Sequence, residues 1–140
     1  MLKIIFTPVQ CGMTGFESPA AEYTQLSLSL DQHLVAHPEA TYLCFAEGDS
    51  MQGFGIFSGD MLIVSRAAQV NDGDIIVANL NGDFICKKID LPRQQLVSAG
   101  KGYSTYQLHE GEEFQVEGVV ISSIRMHRPF RGKKVASSEL

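Results

Sequence analysis

The sequence predicts a mostly β fold: a curled, barrel-like sheet with an extended N-terminal arm and at most one or two short helices. Short apolar segments rich in Val, Ile and Phe recur from residue 41 onward and are separated by Gly, Asp and Asn, as strands are separated by turns. Asn81-Gly82 lies between two such segments and is the strongest short-range signal for a β-hairpin. These two observations favour an antiparallel sheet over a helical fold.

The elements are expected in the following order. Asp31 is a candidate N-cap for a short helix, Gln32 to His37, which Pro38 would end. Strands are predicted where apolar residues cluster or alternate between turn residues. The predicted strands are Thr41–Phe45, Met61–Val64, Ile75–Leu80, Asp83–Ile89, Gln95–Val97 and Phe114–Ile124.

The chain of 140 residues is large enough for one domain with a single core. Residues 1–24 are rich in turn-forming residues and show no helical period, so an extended N-terminal arm is expected there. Residues 25–126 are predicted to form the β-rich core domain. Residues 127–140 continue a run of basic residues and are predicted to be a flexible tail.

Composition bears on partners and location. The chain has 16 acidic and 11 basic residues, and too few residues precede the first strand for a helix-turn-helix, so direct sequence-specific binding to nucleic acid is not expected. Cys11, Cys44 and Cys86 form neither a CxxC pair nor a Cys/His ligand pattern, which predicts a reduced cytoplasmic protein without metal or cofactor. The apolar stretch Ile4–Phe6 is too short to span a membrane.

Ser50 is the candidate nucleophile. It lies in Gly48-Asp49-Ser50-Met51, where flexible neighbours would leave its hydroxyl and nearby backbone N–H groups accessible to a substrate. Such Gly-Asp-Ser sequences are also common in ordinary turns, which is the alternative interpretation.

Lys87 is the candidate general base. Strand alternation places it on one face with Ile85 and Ile89, and Lys88 on the opposite, solvated face. Burial between two aliphatic side chains would lower the pKa of Lys87, which is required because only about one lysine in a thousand is neutral near pH 7. Two alternatives stay open: both lysines protect a strand edge from aggregation, or a bulge exchanges the two faces.

Several segments of the chain recur together in one known family. They are Ser18–Tyr23, His37–Tyr42, Gly48–Met51, Ser58–Val64, Gly73–Ala78, Lys87–Lys88 and Val116–Val120. In order and spacing, from about residue 9 to residue 126, they resemble the LexA/UmuD-like self-cleaving serine peptidases.

The resemblance implies a mostly β homodimer with a Ser–Lys dyad, in which Ser50 is the nucleophile and Lys87 the base. It also implies that the chain cuts its own N-terminal arm when stimulated by a RecA–single-stranded DNA filament. The shortened form would then join a UmuC-type Y-family DNA polymerase as the non-catalytic subunit in SOS-induced translesion synthesis.

The family cuts its arm between a small residue and a glycine. Val9-Gln10-Cys11-Gly12 resembles that site, so the bond Cys11–Gly12 is predicted to be cut. The Gly-Phe pair of the family occurs here as Gly15-Phe16, which makes Thr14–Gly15 the competing bond.

Two other functions are alternatives to self-cleavage. The first is a non-catalytic dimeric scaffold for a polymerase that retains a vestigial dyad. The second is a signal-peptidase-like enzyme that cuts other proteins, which is disfavoured because the sequence shows no membrane anchor.

Overall fold

The computed structural model describes residues 11–12 and 29–128. The chain divides into two units, residues 1–41 and residues 42–140. The extended arm predicted over residues 1–24 lies outside the described residues, apart from residues 11–12, as does most of the predicted tail. The predicted limits of arm, core and tail therefore stay predictions.

The described residues of the first unit include a short α-helix, α1, over Leu30–Leu34. Ser29 caps it: its Oγ accepts from the Gln32 N–H at 3.0 Å, and the Gln32 side chain accepts from the Ser29 N–H at 3.0 Å. The prediction that Asp31 caps a helix from Gln32 to His37 is therefore wrong, because this reciprocal capping box fixes an earlier start. No helix among the described residues is long and apolar enough to cross a membrane.

Seven strands form one sheet, and each predicted strand is present. In chain order they are β1 (Thr41–Phe45), β2 (Met61–Ser65), β3 (Ile75–Leu80), β4 (Asp83–Asp90), β5 (Gln95–Val97), β6 (Tyr106–Gln107) and β7 (Phe114–Ile124). Their spatial order is β1-β2-β7-β3-β4-β5-β6, and the pairs from β2 to β6 are antiparallel. The predicted fold class is confirmed, and only the short strand β6 was not predicted.

The β3–β4 hairpin fixes the register of the candidate base. Asn81 and Gly82 both have positive φ, 53° and 93°, as a type I′ turn requires. From this turn the two strands pair without a register shift, so that Lys87 lies opposite Ile76. The bulge that would have exchanged the faces of Lys87 and Lys88 is therefore absent from this pairing.

Apolar side chains pack into two groups. One group contains buried residues of the β1–β2 loop and of β2 and β3: Met51, Ile56, Leu62, Val64 and Val77. The other contains buried residues of β3, β4, β5 and β7: Ile76, Ala78, Ile89, Leu96 and Val119. Neighbouring residues of β3 belong to different groups, as the alternation of side chains along a strand requires.

The loop between β1 and β2 is closed at its base. The Ala46 N–H donates to the Asp60 carbonyl and the Gly59 N–H donates to the Ala46 carbonyl, each at 2.8 Å. The buried Asp60 carboxylate accepts from the Phe57 N–H at 2.9 Å and from the Arg125 guanidinium at 2.8 and 2.9 Å. The hydrogen bond from Arg125 lowers the pKa of Asp60, so the carboxylate remains charged and keeps the loop attached to the end of β7.

Leu96 tests how much stability the β4–β5 region contributes. Its side chain is 1% exposed, so Leu96→Ala should leave a cavity and lower the free energy of unfolding by about 2–5 kcal/mol. Leu91→Ala is the matched control, because Leu91 is 42% exposed and should change stability by no more than about 0.5 kcal/mol. Urea titration of both variants makes the measurement, and equal losses would contradict the packing described here.

Candidate active site

The two side chains that the sequence singled out lie next to each other. Lys87 Nζ donates to Ser50 Oγ at 2.9 Å, although the residues are 37 positions apart in the chain. Ser50 comes from the β1–β2 loop and Lys87 from β4. At this distance a neutral amine is placed to accept the hydroxyl proton.

The turn that carries Ser50 presents its side chain while anchoring the next residue. Gly48 has φ of 90°, a conformation that favours glycine, and the Gln52 N–H closes the turn on the Asp49 carbonyl at 3.3 Å. Met51 is buried in the first apolar group, which holds the turn against the core. Within residues 29–128, the backbone N–H groups of Ser50 and Met51 form no hydrogen bond, so they are available to a developing oxyanion.

The environment of Lys87 favours its neutral form. Desolvation by burial lowers the pKa of Lys87, and the negative charge of a Cys86 thiolate would oppose this effect. Burial, followed by the charge of Cys44, raises the pKa of Cys86 to about 11, so Cys86 is an uncharged thiol near neutral pH. Lys87 therefore has a lowered pKa and no opposing thiolate under ordinary conditions.

Lys88 differs from its expected solvated position. It points to the face opposite Lys87, as alternation predicts, but its Nζ lies 4.9 Å from the centroid of the Phe54 ring. The contact is a cation–π interaction, and it places the end of the Lys88 side chain against the ring rather than in open solvent. Ser50 is hydrogen-bonded by Lys87, and Lys88 is occupied elsewhere.

The Ser50 turn is also held by the segment that follows β5. The Ala99 N–H donates to the Ser50 carbonyl and the Gly53 N–H donates to the Ala99 carbonyl, each at 2.8 Å. The two segments approach each other so closely that each needs a glycine. A Cβ on Gly53 would lie 2.4 Å from the Ala99 carbonyl oxygen, and a Cβ on Gly100 would lie 2.4 Å from the Asp49 carbonyl oxygen. The nucleophile is therefore fixed by backbone contacts on both sides of the turn.

A cleft of about 190 Å³ opens at the two side chains. One of its walls is the first half of β4, including Phe84 and Cys86. Because β5 pairs only with residues 88–90 of β4, no strand among the described residues covers this part of the edge. Unpaired backbone groups at a strand edge bind extended peptides, so the cleft suits a polypeptide substrate.

The predicted cleavage site is only partly visible. Cys11 and Gly12 are both exposed. Thr14 and Gly15 lie outside the described residues, so the choice between the two bonds stays a prediction. No cluster of three or more His, Cys, Asp or Glu residues able to hold a metal ion occurs in the part of the chain that the structure describes.

Comparison with known proteins identifies the family. Residues 4–121 match the family described as Peptidase S24-like. The chain belongs to the Peptidase S24-like family. The resemblance found in the sequence is thereby confirmed, and the family is one of self-cleaving serine peptidases.

Several relatives of this S24-like chain share most of its length. Protein SamA of Salmonella typhimurium is 39% identical over 81% of this chain and 80% of its own length. Protein MucA of Escherichia coli is 36% identical over 81% of this chain and 79% of its own. The LexA repressor of Bordetella avium is 32% identical over 77% of this chain and 51% of its own. SamA and MucA are UmuD-like proteins, and the fold described above is consistent with the LexA/UmuD C-terminal domain.

Sequence reasoning missed one residue next to the dyad of this S24-like chain. Tyr103, in the segment after β5, donates its hydroxyl to Asp49 Oδ1 at 2.6 Å, and its ring centroid lies 5.6 Å from Lys87 Nζ. The sequence places Asp49 directly before Ser50 but does not indicate this partner. The two residues are 54 positions apart, and no local pattern links them.

Proposed function

We propose that this chain is a self-cleaving serine endopeptidase in which Ser50 is the nucleophile and Lys87 the general base. The observation that carries the proposal is the 2.9 Å hydrogen bond between their side chains, together with the lowered pKa of Lys87. Membership of the S24-like family supports the proposal, because that family is one of self-cleaving serine peptidases.

The proposed reaction begins with acylation. Neutral Lys87 Nζ takes the proton from Ser50 Oγ while Oγ forms a bond to the Cys11 carbonyl carbon, and backbone N–H groups of the turn stabilise the oxyanion. The Cys11–Gly12 bond then breaks, and the Lys87 ammonium gives its proton to the Gly12 nitrogen as it leaves. An ester links Ser50 to the Cys11 carbonyl at this stage.

Deacylation reverses the roles. Lys87 takes a proton from water as the water oxygen attacks the ester carbon, and returns a proton to Ser50 Oγ as the ester bond breaks. The products are residues 1–11 with a free carboxylate and a chain that begins at Gly12. Because the substrate belongs to the same protein, effective concentration takes the place of binding affinity.

The partners in this proposal are inferred from the similarity of this chain to UmuD-like relatives. We propose that a RecA–single-stranded DNA filament stimulates the cut in the cytoplasm. The processed homodimer would then act in SOS mutagenesis as the accessory subunit of a UmuC-type Y-family polymerase.

Intact-mass measurement tests both the activity and the bond. The chain is incubated with an activated RecA filament at neutral pH, and separately without any partner at alkaline pH. Loss of residues 1–11 is the expected result in both cases, because deprotonation of Lys87 alone should allow slow cutting. Loss of residues 1–14 would move the cut to Thr14–Gly15, and an intact chain under both conditions would favour the non-catalytic scaffold.

Sedimentation tests the proposed assembly. The chain exposes several large apolar side chains, among them Leu43, Phe84 and Ile121, which a partner surface would cover. A dimer is therefore expected at micromolar concentration, and a monomer throughout that range would contradict the proposal.

A further inference from the structure

Tyr103 lies beside the proposed dyad, with its hydroxyl on the residue that precedes Ser50 and its ring near the Lys87 amine. Its hydroxyl donates to Asp49 Oδ1 at 2.6 Å, and Asp49 directly precedes Ser50. Its ring centroid is 5.6 Å from Lys87 Nζ. The backbone around it is fixed, because the Tyr103 N–H bonds the Gly100 carbonyl at 3.2 Å and Gly100 packs against the Asp49 carbonyl.

The Asp49 carboxylate is a hazard for a lysine that must act as a base. Asp49 adjoins Ser50, whose Oγ is already 2.9 Å from Lys87 Nζ. A carboxylate that turned toward this amine would form an ion pair with the ammonium and favour the protonated form. The hydrogen bond from Tyr103, at 2.6 Å, occupies Oδ1 of this carboxylate.

We propose that Tyr103 is a positioning residue that keeps the Asp49 carboxylate from pairing with Lys87 and so keeps Lys87 available as a base. This inference rests on the proposed self-cleavage, since it assigns Tyr103 a role in that reaction. The Tyr103 hydroxyl acts through Asp49, to which it is hydrogen-bonded.

The hydroxyl remains a donor under the conditions where cleavage is expected. The hydrogen bond to Asp49, followed by the charge of Asp49, raises the pKa of Tyr103 above its usual value of 10.0. Burial lowers the pKa of Lys87 below its usual value of 10.5. The two shifts have opposite signs, so both favour a deprotonated Lys87 beside a Tyr103 that keeps its proton.

Other ionisable groups also lie near Lys87. Glu47 lines the same cleft from the β1–β2 loop. Cys86, on the same strand, is uncharged near neutral pH because its pKa is raised to about 11. Lys88 lies against Phe54 on the opposite face. Asp49 is the carboxylate adjacent to the nucleophile, and Tyr103 is the residue that binds it.

The pH dependence of self-cleavage tests the proposal. The first-order rate is measured by intact mass, without a partner, for the unaltered chain and for Tyr103→Phe, which keeps the ring over Lys87 and removes only the hydroxyl. The midpoint of the rate profile should rise by about one pH unit, and the rate below the midpoint should fall about tenfold. The alkaline plateau should be unchanged, because a deprotonated Lys87 no longer attracts the carboxylate.

Two further variants separate this role from a structural one. Adding Asp49→Asn to Tyr103→Phe removes the competing charge and should return the midpoint to that of the unaltered chain. Tyr106→Phe is the matched control, because the Tyr106 hydroxyl also donates to a carboxylate, that of Glu112, away from the dyad. It should not move the midpoint.

Three outcomes would overturn the inference: an unchanged midpoint in Tyr103→Phe, an equal rate loss at every pH, or no recovery when Asp49→Asn is added. If the unaltered chain does not cut at any pH, the proposed function fails and a second measurement decides the inference. The titration of Lys87 is then followed by NMR of ¹³C-labelled lysine in Ser50→Ala, with and without Tyr103→Phe. A higher pKa of Lys87 in the double variant supports the role of Tyr103, and equal values contradict it.

Discussion

Ser50→Ala should reduce self-cleavage at least about a thousandfold at every pH, because Ser50 Oγ is the oxygen to which Lys87 Nζ is hydrogen-bonded within residues 29–128. The fold should survive, since Ser50 lies on a turn and its neighbour Met51 provides the packing. Thermal unfolding should therefore be nearly unchanged, and intact mass over time should show an uncut chain. The measurement needs only purified protein, a RecA filament and an alkaline buffer.

Ser58→Ala is the control for this variant. Ser58 lies in the same β1–β2 loop and is exposed, but it does not line the cleft that contains Ser50. The Ser58→Ala chain should cut itself at the rate of the unaltered chain. Undiminished cutting in Ser50→Ala would remove Ser50 from the mechanism, whatever the control shows.

Lys87→Ala and Lys87→Arg should both be inactive, for different reasons. Alanine has no proton acceptor, and arginine keeps its charge and cannot accept the Ser50 proton. In the unaltered chain, the neutral amine is the active form and its pKa is lowered by burial. The rate should therefore rise with pH, starting below the usual lysine range, and level off once Lys87 is deprotonated.

Lys88→Ala provides the comparison for the base. Its amine lies over the Phe54 ring rather than at Ser50, so most of the activity should remain, with the same pH midpoint. The opposite pattern, with Lys88→Ala inactive and Lys87→Ala active, would mean that the register of β4 differs from the one described here. A rate independent of pH would contradict an amine base of either kind.

The strands could be predicted because their signals are local. The pattern of apolar residues in β3 and β4 and the Asn81-Gly82 turn determine a hairpin without help from the rest of the chain. β6 was missed because two exposed residues carry no periodicity. The helix start was misplaced because Ser29 and Asp31 are both good caps, and only Ser29 has Gln32 in position to complete a capping box.

The candidate site divides in the same way. Alternation along β4 distinguished Lys87 from Lys88, since side chains in a regular strand alternate by residue. It did not show that Lys88 rests on Phe54, because that contact depends on the path of the β1–β2 loop. The contacts of Ser50 with Ala99 and of Asp49 with Tyr103 join segments about 50 positions apart, so no local pattern predicts them. The sequence features that accompany them are Gly53 and Gly100, which lie where the two backbones approach each other.

The hydrogen bond from the Ala99 N–H to the Ser50 carbonyl has a consequence for when the proposed reaction can occur. The nucleophile, its base and the segment that holds them come from three separate parts of the chain, and the folded sheet brings them together. A nascent or partly unfolded chain therefore has the residues of a peptidase without its activity. Under the proposed function, only a folded chain would therefore remove its own N-terminal segment.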